Sequence, residues 1–207
     1  NTIKIPLNPA ISPSANANKY FKDYKKTYTA EQTLTLLTGK DKEELVYFDA
    51  VLDSINRCTT LSDLQEIREE LAETGYIKQT QTKKKKNTVS AFKEYESKEG
   101  YKILVGKNNK QNDLLTTGIA SKQDLWFHTK DIAGSHVIVM CGGQAVSDET
   151  VLKAALLAAK NSKAANSSKV AVDYTPIKFV KKPNGAKPGM VIYTTNKTIF
   201  VNPTEEE

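Results

Sequence analysis

One change of periodicity does most to limit what this chain can become. Up to about residue 75, apolar residues recur at mixed spacings of three and four, the mark of helices packed along one face. From Phe92 onward the period is two, the mark of strands. Between them runs Lys78-Gln79-Thr80-Gln81-Thr82-Lys83-Lys84-Lys85-Lys86-Asn87-Thr88. A polar, like-charged run has no apolar area to bury and is expected to be a linker. Its lysines are candidate phosphate contacts, with a solvated run as the bland alternative. The expected fold class is α+β: a helical, coiled-coil part over residues 1–77, a basic linker over 78–91, and a mixed, mainly antiparallel sheet domain with one or two helices over 92–207.

In the first part, Ile3, Ile5 and Leu7 suggest an extended lead-in. Ser12-Pro13 then reads as a helix start, Ser as N-cap and Pro in the first turn. Tyr20, Phe21, Tyr24, Tyr28, Leu34 and Leu37 follow at helical spacing, and Gly39 is expected to stop the run. Asp41 is expected to cap a second helix, with Leu45, Phe48, Val51, Leu52 and Ile55 on one stripe. Thr60 precedes a third, faced by Leu61, Leu64, Ile67 and Leu71 and ended by Gly75. The expectation is a helical hairpin plus one helix, with a homodimer through an exposed helical seam as a corollary.

In the second part the expected strands are Lys102–Val105, Leu125–Thr129, His136–Cys141, Lys169–Tyr174, Ile177–Val180, Met190–Thr194 and Thr198–Val201. A short helix is expected from Gln111 to Ala120. A longer one is capped by Ser147, with Asp148 and Glu149 in its first turn and Leu152, Ala155, Leu156 and Ala159 facing the sheet.

Charge separates the halves. Residues 1–80 carry a net charge of −2 and residues 81–207 one of +8. A basic, aromatic-containing half suggests a polyanion partner, against the plainer reading of a soluble lysine-rich surface. No apolar run approaches the roughly 18 residues that a membrane span needs. The first residues have neither the basic nor the apolar region of a signal peptide. The chain starts on Asn, so a fragment or a processed product is expected. Cys58 and Cys141 are 83 residues apart, which argues against a disulfide framework and for a reduced, cytoplasmic setting.

Three clusters could carry chemistry. Gly106-Lys107-Asn108-Asn109-Lys110-Gln111-Asn112-Asp113 offers amides, ammonium groups and a helix start, the parts that hold a phosphate or a base edge; a self-capping polar turn is the alternative. Asp124-Leu125-Trp126-Phe127-His128 puts Trp126 and His128 on one strand face and is followed by Ser135 and His136. If that face is open, the indole can stack on an unpaired base; otherwise it is core. The third cluster, Lys181-Lys182-Pro183-Asn184-Gly185-Ala186-Lys187-Pro188-Gly189, sits in a stretch, 169–197, with six lysines and one acid. It suits backbone phosphates or serves as a solubilising loop. Reversing Lys107, Lys181, Lys182 and Lys187 to Glu is expected to abolish RNA binding and leave folding intact. A Walker loop and a Gly-x-Ser-x-Gly elbow are absent, and His128, His136 and Cys141 fit no zinc spacing. No catalytic residue, metal or cofactor is expected; a hydrolase using His128 or His136 is the weakest reading.

Val105 to Asp113, Asp124 to His128, Gly134 to Val137 and the Lys181 to Gly189 run together resemble the NFACT-R module. Ile5 to Pro9, Ser12-Pro13, Tyr20 to Lys26 and Glu66 to Tyr76 are similar to the piece that precedes it in the bacterial fibronectin-binding protein A family, which includes alanine-tailing factors of ribosome-associated quality control. The resemblance implies a coiled-coil middle that packs on the large ribosomal subunit and a noncatalytic RNA-binding module, any peptide extension using the ribosome's own chemistry. It implies ribosomal RNA or tRNA as partner, through Lys107, Asn108, Asn109, Gln111, Asn112, Asp113, Trp126, His128, Ser135, His136, Lys181, Lys182 and Lys187. It also brings the alternative of a fibronectin-binding adhesin fragment, with surface display as a second location.

Overall fold

The computed structural model describes residues 2–78 and 90–204, so the lysine run 83–86 and most of the expected linker lie outside the described residues. The chain divides into two compact units, residues 1–45 and 46–207.

In the first unit the lead-in is tied to the start of α1 (Pro13–Asn56). Ser12 caps the helix, its Oγ accepting from the Ala15 amide at 3.1 Å. Asn16, buried, accepts from the Asn8 amide at 2.8 Å and returns its own Nδ2 to the Asn8 carbonyl at 3.0 Å. The aromatic run Tyr20, Phe21, Tyr24 and Tyr28 is exposed, as are Leu34 and Leu37.

The helical hairpin is corrected. Helix α1 continues for 44 residues through Gly39 and Asp41, with no turn between them. Gly39 does not take the left-handed backbone that ends helices, and an added Cβ would meet nothing within 4 Å. A lone glycine weakens a helix interior by about 1 kcal/mol, which a helix this long tolerates.

In the second unit, the end of α1 packs on α2 (Leu61–Glu73). Thr60 caps α2, accepting from the Asp63 amide at 3.2 Å. Gly75, at φ +85°, ends it in a Schellman turn, with the Tyr76 amide on the Leu71 carbonyl at 2.8 Å. The caps match the sequence; the faces do not. Of the stripe expected on α1, only Val51 is fully buried, beside Tyr47, while Leu45 and Leu52 are exposed. On α2, Leu61 is 85% exposed, whereas Asp63, Glu66 and Glu70 are buried with Ile67.

The remainder is a six-stranded antiparallel sheet in the order β1-β2-β4-β3-β5-β8, with a separate β6–β7 pair. The strands are β1 (Lys93–Glu96), β2 (Lys102–Val105), β3 (Leu125–Thr129), β4 (Val137–Val139), β5 (Val170–Pro176), β6 (Val180–Lys181), β7 (Ile192–Tyr193) and β8 (Lys197–Val201). Alternation sends Ile103, Val105, Phe127, Val137, Val139 and Val172 to one face. There α4 (Asp148–Lys160) covers them with Val151, Ala154, Ala155, Ala158 and Ala159. Small side chains let the helix approach the sheet closely. Leu152, expected inward, is 43% exposed. Leu104, Trp126 and Ile138 go to the other face, under Leu115 and Ile177. The helix expected over 111–120 is α3 (Asn109–Leu114) followed by a wide turn, Leu115–Ile119. The strand expected over 177–180 is instead a 3₁₀ turn, Ile177–Phe179, leading into β6. Pro176 precedes it and supplies no amide to extend the β5 ladder.

Candidate nucleic-acid interface

Strand β2 runs into Gly106, whose amide donates to the His136 carbonyl at 3.1 Å. Only glycine fits here: a Cβ would stand 2.2 Å from Asn112 Oδ1. Asn108 then caps α3, its Oδ1 accepting from the Gln111 amide at 2.9 Å. The other end of the Asn108 amide donates to Glu66 Oε2 at 2.7 Å, and Gln111 Nε2 donates to the same oxygen at 3.1 Å. Asn109 Nδ2 and the Tyr47 hydroxyl both donate to Glu70 Oε1, at 3.0 and 2.8 Å. Lys107 reaches Asp63 at 3.4 Å and Lys110 reaches Glu73 at 3.0 Å. The acids of α2 thus meet the amide-rich turn one by one along a single helix face. Burial pushes the Glu70 carboxyl up from its ordinary value, against the pull of Asn109, Tyr47 and Lys110.

Asn112 joins the turn to the loop before β4. Its Nδ2 donates to the Gly134 carbonyl at 3.3 Å and its Oδ1 accepts from the His136 amide at 3.0 Å. Ser135 Oγ donates to the Gly106 carbonyl and accepts from Arg57 Nη1 at 3.0 Å. Asp113 joins the turn to the basic loop, pairing with Lys182 at 2.8 Å and accepting from the Gly189 amide at 3.4 Å. The Lys187 ammonium lies 4.0 Å from the centre of the Tyr76 ring and 5.0 Å from that of Tyr47. The three sequence clusters therefore do meet in space. They meet as a joint that is closed: Asn108, Asn109, Gln111, Asn112, Ser135 and His136 are buried, and their polar atoms already face protein partners.

Trp126 needs the plainest correction. The face on which its ring could stack on a base is covered, and the residue is 0% exposed. Its ring lies 5.7 Å from His128, stacked, 5.3 Å from His136, edge-on, and 4.8 Å from Tyr193. Burial pushes the His128 imidazole down to about 4 and that of His136 well below its ordinary value, the latter helped by its neighbour His128. Both rings are therefore neutral at pH 7, and His136 Nδ1 is hydrogen-bonded to Thr116 Oγ1 at 2.7 Å. The expectation that charge reversal spares the fold is corrected as well for Lys107, Lys182 and Lys187, since each already holds a partner inside the joint. Lys181 is different. It is exposed and, like Lys122, Lys130, Lys160, Lys178 and Lys197, forms no ion pair among the described residues.

Residues 88–194 match the family model described as the NFACT protein RNA binding domain, and residues 1–90 match that of the NFACT N-terminal and middle domains. The chain belongs to the NFACT family. Proteins named Rqc2 homolog RqcH are 45% identical to it over 205 residues in Bacillus subtilis (strain 168) and 44% identical over 206 residues in Streptococcus suis (strain 05ZYH33). These alignments cover 98% and 99% of this chain but 35% and 37% of the relatives, so the chain spans about a third of their length. Among solved structures, the C-terminal part of the fibronectin/fibrinogen-binding protein from Streptococcus suis superposes with a TM-score of 0.84 at 43% identity. That match covers 95% of this chain and 78% of that one.

In the NFACT frame, the amide-rich turn and the basic loop fall within the RNA-binding match, whereas α2 falls within the N-terminal and middle match. The joint ties one matched region to the other. Sequence reasoning missed the residues on the α2 side, Asp63, Glu66, Glu70 and Glu73, together with Tyr47, Tyr76 and Arg57. A signal was present: the four acids follow steps of three, four and three, one face of a helix.

Proposed function

We propose that this chain is the RNA-contacting, noncatalytic portion of a ribosome-associated quality control factor that acts on stalled large ribosomal subunits in the cytoplasm, with ribosomal RNA or tRNA as its partner. The match to the NFACT RNA binding domain and the names of the relatives support the reading. The observation that carries it is the division of the lysines. Lys107, Lys110 and Lys182 are held by carboxylates, while exposed Lys122, Lys130, Lys160, Lys178, Lys181 and Lys197 are left without one among the described residues. Ammonium groups without an internal counter-charge are the ones that can release counterions from a phosphate backbone. The buried amides then act as positioning groups that hold the basic loop in place.

The test is RNA affinity of the 207-residue chain against salt. Log affinity falls linearly with log salt, with a slope set by the number of phosphates neutralised. Lys130→Glu and Lys181→Glu together flatten that slope and leave the melting curve unchanged. A flat response in the unaltered chain would overturn the proposal. Fibronectin, part of the name of the Streptococcus suis protein of known structure, is the competitor in the same assay beside a charge-matched control. Self-association through the exposed apolar residues of α1 belongs to the same proposal, and sedimentation of the chain at micromolar concentration checks it.

A further inference from the structure

On the α4 side of the sheet, away from Trp126, a cleft of about 460 Å³ opens where β5 ends and β3 and β8 begin. That volume lies within the range of small-ligand sites, roughly 300–1,000 Å³. Leu125, Val151 and the ring of Tyr174 form its apolar wall. Phe127 stacks on Tyr174 with centroids 5.1 Å apart and planes 11° from parallel, which fixes the plane of the ring from inside the core. Lys197 lines the cleft as well, directly across the β5–β8 ladder from Tyr174. Lys178 also lines the cleft, its ammonium 5.0 Å from the centre of the Phe179 ring, and its backbone amide is bonded to the Lys122 carbonyl at 3.0 Å, so a third lysine runs beside the mouth. All three are exposed and unpaired with acids among the described residues. Asp148, at the start of α4, is the one acid in the lining.

An aromatic wall of fixed orientation beside ammonium groups that no carboxylate neutralises is the pairing that single-stranded nucleic acids use: a π-face for the base and cations for the backbone. A base in an A-form duplex is stacked on both sides and cannot enter such a cleft. The carboxylate of Asp148 repels a phosphate from its own end and leaves the lysine end as the place for the backbone. We propose that this cleft seats one unstacked nucleotide of a single-stranded RNA, its base against Tyr174 and its phosphate at Lys178 and Lys197. The assignment rests on the RNA-binding reading above and names where one nucleotide sits.

The experiment is fluorescence anisotropy of the 207-residue chain with a labelled single-stranded RNA and with a duplex of equal length, across a salt series. The Lys178→Ala/Lys197→Ala double variant weakens single-strand binding by about tenfold or more and lowers the salt slope by about 1.4, roughly 0.7 for each lysine. Tyr174→Leu weakens single-strand binding at an unchanged slope, and neither variant alters duplex binding. Should Tyr174→Leu fail to fold, photocrosslinking of an iodouracil-substituted single strand to the unaltered chain replaces it, with adducts expected on the tryptic peptide 170–178. Single-strand binding unchanged in the double variant, or adducts confined to other peptides, overturns the cleft and leaves the RNA-binding reading standing. An unaltered chain that binds neither RNA overturns both.

Discussion

Removing Glu66 is the sharpest test of the closed joint. Its Oε2 accepts two side-chain N–H bonds, from Asn108 at 2.7 Å and Gln111 at 3.1 Å, and its Oε1 accepts the Ser90 amide. A hydrogen bond to a charged group contributes about 1.5–3 kcal/mol net, and a buried donor left without a partner costs about 1–3 kcal/mol. Gln111 keeps the Ser90 carbonyl and hydroxyl at 3.0 and 2.9 Å, so most of the loss falls on Asn108. Glu66→Ala should therefore destabilise by about 3–4 kcal/mol. Asn108→Ala should cost about 2–3 kcal/mol, part of it the lost cap of α3. If the two act through one contact, the double variant costs less than the sum, with a coupling of about 1.5–2.5 kcal/mol. The assay is urea unfolding followed by the fluorescence of Trp126, the chain's one tryptophan and a buried one. A coupling below about 0.5 kcal/mol would refute the reasoning, because additive losses would mean that the carboxylate and the amide do not hold each other.

Three further outcomes are expected. The imidazole of His128, held down to about 4, stays neutral in the fold while the unfolded chain takes up a proton below about pH 6.5. Stability should therefore fall as pH drops from 7 to 5, by about 1–2 kcal/mol from this group, before the exposed carboxylates titrate; His136, also held below its ordinary value, adds to the same slope, so His128→Gln should lessen that part of a urea-midpoint profile without removing it. Lys182→Glu sets a carboxylate against Asp113, where an ammonium now sits at 2.8 Å, and should lower stability by about 1–2 kcal/mol in the same urea assay, more than Lys181→Glu does. Gly39→Ala fills open space in the interior of α1 and should raise helix content and stability by about 0.5–1 kcal/mol by circular dichroism; a loss would mean that the helix ends there.

The parts of the fold legible in the sequence are those set by local chemistry. Ser12, Thr60 and Ser147 all cap helices as expected, because a cap needs only a side-chain oxygen and an amide two or three residues away. Strands β2, β3, β5 and β8 were visible because each carries a short apolar run, or an alternating one in β5, of the kind that a sheet covered on both faces must bury. Strand β1 was not, because Lys93-Glu94-Tyr95-Glu96 lies at the sheet edge and is mostly exposed, so nothing in its side chains records the pairing. Gly39 misled for the opposite reason. Glycine permits a helix end without requiring one, and what decides is whether the backbone turns left-handed, as it does at Gly75 and not at Gly39.

The candidate site was half legible, and its physics explains which half. A side-chain amide or an ammonium group donates to a carboxylate as readily as to a phosphate, so a run such as Lys107 to Gln111 specifies an anionic acceptor without saying whose it is. Two stripes compete along α2: the apolar one through Leu61, Leu64, Ile67 and Leu71, and the acidic one through Asp63, Glu66, Glu70 and Glu73. Burial of carboxylates is ordinarily disfavoured, which makes the apolar stripe the natural inward choice when the helix is read alone. The choice shifts because the opposing surface carries donors: Ile67 stays inside, Leu61 and Leu64 are left outside, and Glu66 and one oxygen of Glu70 gain bonds that offset lost water, while Glu70 Oε2 is buried without a partner among the described residues. An RNA phosphate reaching the same amides would have to displace a carboxylate that is already desolvated and bonded. The exposed lysines impose no such exchange. Binding should therefore follow the cations outside the joint, while substitutions inside it change affinity only as far as they loosen the fold.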